Sequence, residues 1–166
     1  MQGKKAKKVS LLSIMLALIL VIGLLEKIIP FDSVVPGVKL GLSNAVVLIS
    51  VYIFDFSSSF ILVFLKCVLI FLVTGNMTSF IYSLSGSLLS FFVMFFLVRL
   101  TKNKLSPVGI SVAGAFCHNL GQIFAAAFLM GSINVVNYLP ILAISGVVTG
   151  IIVGFTVKYS LPHIKV

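Results

Sequence analysis

The chain has 166 residues, of which 60% are apolar and 9% charged, with a formal net charge of +9 and a mean hydropathy of +1.28. A water-soluble domain of this size needs far more polar surface, so the composition excludes one and points to a lipid bilayer, where a helix needs about 20 apolar residues to cross. The distribution of the charge excludes a nucleic-acid partner as well: Lys4, Lys5, Lys7 and Lys8 precede the first apolar run, Arg99, Lys102 and Lys104 share one loop, and Lys158 and Lys165 come last. Those are the places where membrane proteins collect basic residues on the cytoplasmic side.

Taken in chain order, the apolar runs predict six helices. The first covers about 9–29 and is stopped by Glu26, Lys27 and Pro30. It follows lysines as a signal peptide would, but it is long for that and no small-residue cleavage site follows, so a retained helix is expected. The second covers about 38–54. Asp55 with the serines at 57–59 forms a tight turn and offers an N-cap to the third helix, which ends near Thr74-Gly75-Asn76. The fourth covers about 79–98 and stops at the TKNK loop. Pro107 suits the first turn of the fifth, which reaches Met130, and Pro140 opens the sixth, which ends near Lys158. The expected organisation is a basic segment at 1–8, a six-helix membrane domain at 9–158 and a short tail at 159–166.

An all-α bundle of about six transmembrane helices places both termini on one side. Nine of the twelve basic residues then face that side, which the positive-inside rule makes the cytoplasm. The opposite loops carry Lys27 and Lys39, and Lys66 lies inside a span.

Polar groups within the spans need an explanation, because hydrocarbon offers them no hydrogen-bond partners. Lys66 lies midway along the third helix, too deep to reach the interface easily, so it faces either an internal partner or a ligand. On the fifth helix Ser111, Ala115, His118 and Gln122 recur at helical spacing with Asn119 beside them, one broad face suited either to interhelical bonding or to a substrate pocket. The second span opens PGVKLGLSN, and counted from Leu40 it is only about 22 Å long, too short to cross unaided. Its PGV backbone is therefore expected to dip into the outer face, with Lys39 and Asn44 near the entrance.

Small residues form further stripes. Gly146, Gly150 and Gly154 make a double GxxxG suited to close internal packing; Ser79, Ser83, Ser87 and Ser90 line the fourth helix; Ser13 and Ala17 make one small-xxx-small pair on the first. Cys67 and Cys117 fall in apolar runs and read as small buried hydrophobes. Cys117 and His118, as helical neighbours, point about 100° apart, which argues against a metal. The chain has three carboxylates, Glu26, Asp32 and Asp55, and no Gly-rich phosphate loop, so neither acid–base pairs nor nucleotide hydrolysis are expected and the chain reads as a non-enzyme.

PGVKLGLSNAVVL (36–48), FIYSLSGSLLS (80–90) and SPVGISVAGAFCHNLGQ (106–122) together resemble the Gx transporter family, also catalogued as heptaprenyl diphosphate synthase component I. The resemblance runs from about Leu24 to Gly154. That family is similar to the S components of energy-coupling-factor (ECF) vitamin transporters. It implies a six-helix, multi-pass cell-membrane protein that captures a micronutrient and works with a T-type membrane subunit and two ATPases. On that reading Lys39, Asn44, Lys66, His118, Asn119 and Gln122 bind the substrate. Its expected class is a small anionic organic molecule such as a flavin or a quinone or isoprenoid precursor, with no cofactor or metal. Ser13 and Ala17 resemble the motif through which S components dock on the T subunit, with serine where alanine is usual. The alternative implied by the second family label is a non-catalytic membrane subunit of heptaprenyl diphosphate synthesis, because aspartate-rich metal motifs are lacking.

Overall fold

The computed structural model describes residues 2–28, 41–102 and 104–164. Lys39, Asp32 and the PGV backbone of the PGVKLGLSN motif lie outside those described residues. The described chain is helical: α1 (Gln2–Ile28), α2 (Ser43–Ile53), α3 (Phe56–Thr74), α4 (Met77–Leu100), α5 (Pro107–Met130) and α6 (Leu139–Ser160), with 3-10 turns at Ile133–Tyr138 and Leu161–His163. Among the described residues, five helices are long and apolar enough to cross a membrane. The sixth, α2, has 11 residues and is about 16 Å long, shorter even than the sequence suggests.

Local chemistry sets the helix ends. The Asp55 carboxylate accepts from the Ser58 amide at 3.3 Å and opens α3, and Asn76 caps α4 through the Ser79 amide at 2.8 Å. Ser106 caps α5, with Pro107 in the first turn where its missing N–H costs nothing. Gly75, at φ +64, ends α3 in the left-handed conformation. One boundary differs from the expectation. The helix of α1 begins at Gln2, because hydropathy marks the part of a helix that lies in lipid and not where hydrogen bonding starts.

Packing follows the small residues. An added Cβ on Gly146 would meet Asn119 Nδ2 at 2.8 Å, one on Gly150 would meet Val112 Cα at 2.7 Å, and one on Gly154 would run into Val108 Cα. The double GxxxG of α6 thus lies flat on α5. Gly86 and Gly121 do the same between α4 and α5, where the Ser85 hydroxyl also donates to the Gly121 carbonyl at 2.9 Å. The remaining helices surround α2, which touches α1, α3, α4 and α6 and is buried without a break from Ala45 to Val51. A helix apolar all round belongs in an interior, and this one also ties to α3 through the Ser59 hydroxyl and the Ser50 carbonyl at 3.0 Å.

One end of the bundle is polar and braced. Lys8 pairs with Asp55, and Arg99 donates to the Phe54 carbonyl at 3.2 Å while its guanidinium lies 5.1 Å from the centre of the Phe95 ring. The Lys8 ammonium holds the pKa of the Asp55 carboxyl down to about 2 against the opposing effect of burial, with hydrogen bonds from Ser58 helping. The same end carries the basic loop after α4 and, through the Gly154–Val108 contact, the C-terminal end of α6.

The α5–α6 contact makes a measurable demand. Gly154→Val should lower the thermal midpoint of the purified protein by the equivalent of roughly 1–3 kcal/mol, since neither backbone can retreat without opening the helix pair. Gly109→Ala, whose new methyl would sit 3.7 Å from Ser106 Oγ, should be neutral or slightly stabilising. Equal melting of Gly154→Val and the parent would contradict the close approach.

Candidate functional site

The short α2 decides where the polar residues meet. From Phe56 to Lys66, from Asn44 to Phe54 and from Ser90 to Leu100 is ten residues each; from Pro107 to His118 and from Thr149 to Ser160 is eleven. At 1.5 Å per residue, all five side chains therefore lie about 15–17 Å from the braced end, close to the middle of a ~30 Å hydrocarbon core. Five helices thus bring polar groups to a single layer at the bilayer centre, and α5 brings several.

Within that layer Lys66, 5% exposed, donates from Nζ to Asn44 Oδ1 at 2.7 Å. Asn44 stands in the first turn of α2, which the chain enters through Gly41 at φ +68, a conformation that other residues rarely adopt. The Asn44 amide bonds back to the Gly41 carbonyl at 2.8 Å and the Ala45 amide to the Leu42 carbonyl at 2.9 Å. The amide between them, that of Ser43, donates to Glu26 Oε1 of α1 at 2.8 Å. On α5, the Gln122 amide nitrogen stands 3.1 Å from His118 Nε2, and the Asn119 amide donates to the Leu142 carbonyl of α6 at 2.6 Å. All three α5 side chains are buried.

A cavity of about 20 Å³ opens in this layer, lined by Asn44, Ser90, Ser111, His118, Asn119 and Thr149 together with apolar groups that include Met94 and Val153. It holds a water or two and no organic ring system, so a larger guest requires the surrounding helices to part. Of the residues expected from the sequence, Asn44, His118 and Asn119 line the cavity. Lys66 reaches it through Asn44, and Gln122 supports it through His118. Lys39 lies outside the described residues.

Three contributors were missed by sequence reasoning. Ser90 belongs to a serine stripe assigned to packing, Thr149 sits among the α6 glycines, and Glu26 was read as a stop signal for the first span. Glu26 could have been suspected as one of only three acids in the chain.

The chemistry of the layer is one-sided. It offers the Lys66 ammonium through Asn44, carboxamide and hydroxyl donors, and an imidazole, and among the described residues none of the cavity-lining side chains is a carboxylate. Such a set suits an acceptor-rich or anionic group. The two described carboxylates are also apart: Asp55 pairs with Lys8 at the braced end, and Glu26 accepts from the Ser43 amide at the other end of α2, about 16 Å away. They cannot act together on a metal or a diphosphate. Among the described residues no three His, Cys, Asp or Glu side chains gather at one point.

Ser13 and Ala17 are both exposed on α1. The Ser13 hydroxyl bonds to the Val9 carbonyl at 3.0 Å, and the residue borders an apolar groove formed with Ile61 and Leu65 of α3.

A family model described as heptaprenyl diphosphate synthase component I matches residues 15–160. No curated protein and no solved structure matches the chain.

Proposed function

Since the chain belongs to the heptaprenyl diphosphate synthase component I family, a family of helical membrane proteins, we propose that it is the substrate-binding, S-component-like subunit of an ECF-type uptake transporter. The observation that carries this reading is Lys66 held against Asn44 at the bilayer centre, beside His118 and Asn119. A lysine at that depth costs about 2.5–3.5 kcal/mol on insertion scales, and transporters commonly place such groups in a protein-lined site at the midplane. The donor-rich layer favours a small anionic ligand, such as a flavin or a quinone or isoprenoid precursor. Capture requires the cavity to widen.

The chain lacks a nucleotide-binding loop, so on this reading a T-type membrane subunit and two ATPases supply the energy, and both termini face the cytoplasm with them. The family description favours a second reading, a membrane subunit of heptaprenyl diphosphate synthesis. The separation of Glu26 from Asp55 supports a non-catalytic role for that subunit.

Mass spectrometry of small molecules released from the purified protein tests the first reading. An organic anion should be recovered from the parent chain, and Lys66→Met should bind the same molecule more than about tenfold less tightly while remaining folded. Unchanged binding by Lys66→Met would remove the central residue from the site. Co-purification separates the two readings: ATPases with a T-type protein support transport, and a soluble prenyl synthase supports the alternative.

The exposed Ser13–Ala17 face is the proposed docking surface, because small residues let a partner helix approach closely. Ala17→Trp should abolish uptake and co-purification with the T-type subunit yet leave ligand binding by the isolated chain intact. Loss of folding would place Ala17 in a core, and normal uptake would place the docking surface elsewhere.

A further inference from the structure

We propose that Glu26 is a positioning residue of the mid-bilayer layer: its carboxylate holds the inner end of α2, and through it Asn44 and Lys66, so that α1 is tied to the site. The proposal rests on the reading of Asn44 and Lys66 as binding residues. It starts from an end of a helix that cannot cap itself. Leu42 occupies the N-cap position with no oxygen on its side chain, where Ser, Thr, Asp or Asn normally accepts from the first turn. Ser43 is buried, so its amide needs an acceptor inside the protein. The acceptor comes from another helix, Glu26 Oε1 at 2.8 Å.

Charge makes the same demand. The N-terminus of α2 carries the positive end of its helix dipole, and the next residue, Asn44, receives the Lys66 ammonium. Two positive features face each other in the bilayer centre. A carboxylate on the Ser43 amide offsets them, and Glu26 is not among the residues that line the cavity. The chain of contacts runs from Glu26 to Ser43, along one residue of backbone to Asn44, and on to Lys66.

The consequence concerns α1. Its polar ties stand at opposite ends, Lys8 with Asp55 at the braced end and Glu26 with Ser43 at the layer; between them it packs through apolar side chains such as Met15 and Ile19. A guest that moves Asn44 or Lys66 displaces Ser43 and so shifts the Glu26 end of α1. The helix that carries Ser13 and Ala17 thereby responds to occupancy of a cavity that it does not line.

Hydrogen exchange at the Ser43 amide and thermal midpoints, measured on the full chain in nanodiscs, test this. Glu26→Leu should speed Ser43 exchange about tenfold or more, whereas Glu26→Gln, which keeps an acceptor oxygen, should stay within about threefold of the parent. The loss in midpoint caused by Glu26→Leu should shrink in a Lys66→Met background, where the charge that Glu26 offsets is gone. Unchanged Ser43 exchange in Glu26→Leu, or additive losses in the double variant, would overturn the proposal. Should Glu26→Leu fail to fold, Glu26→Gln decides alone: retained Ser43 protection supports the acceptor role, and lost protection refutes it. These readouts need no ligand, so recovery of no bound molecule would sink the binding reading while leaving the role of Glu26 to stand or fall separately.

Discussion

Hydrocarbon gives a polar group nothing to bond to, so each amide, hydroxyl and ammonium in the bilayer core must find its partner inside the protein. The organisation of this chain follows from how that demand is met around α2. With 11 residues, α2 is too short to cross, and its first turn therefore ends at the bilayer centre. Backbone amides exposed at that depth are tolerated only within protein, which is why the other helices enclose α2 and why Glu26, Asn44 and Lys66 converge on its end. The glycine contacts of α5 with α4 and α6 serve the same end, because they bring His118 and Asn119 close enough to complete the layer.

Much of this was legible in the sequence, and the legible parts are those governed by local rules. Asp55, Asn76, Ser106 and Pro107 announced helix starts because capping depends on residues within a turn of one another. His118, Asn119 and Gln122 share a face by helical geometry alone, and the Gly146–Gly150–Gly154 stripe could only be a close contact. The partners were not legible. Nothing local says that Asn119 bonds to α6 while Gln122 supports His118, or that the glycines meet α5. The depth of Lys66 could be counted along its helix, but its pairing with Asn44 depends on where α2 begins. That start is set by Gly41 and by Glu26 from a different helix, and Glu26 in isolation looks like any acid at the end of an apolar run.

The family description and the geometry bear on different questions. Membership in the heptaprenyl diphosphate synthase component I family fits a helical membrane subunit that works with others. The geometry speaks to chemistry: the two described carboxylates, Glu26 and Asp55, stand apart, and a donor-rich layer with a buried ammonium suits an anionic group. The narrowness of the cavity adds a dynamic requirement. At about 20 Å³ it is too narrow for an organic molecule, and the helices around it must separate before one enters. The contacts that resist separation are the α4–α5 and α5–α6 glycine faces.

The claim that the bilayer-centre layer is the binding site is tested most directly by locating a captured molecule in a structure of the chain purified with what it binds. The account predicts an anionic group between Asn44 and His118, within hydrogen-bonding distance of the Lys66–Asn44 pair, with the cavity widened around it. A molecule seated on the lipid-facing surface or at the braced end, with the layer still closed, would contradict it.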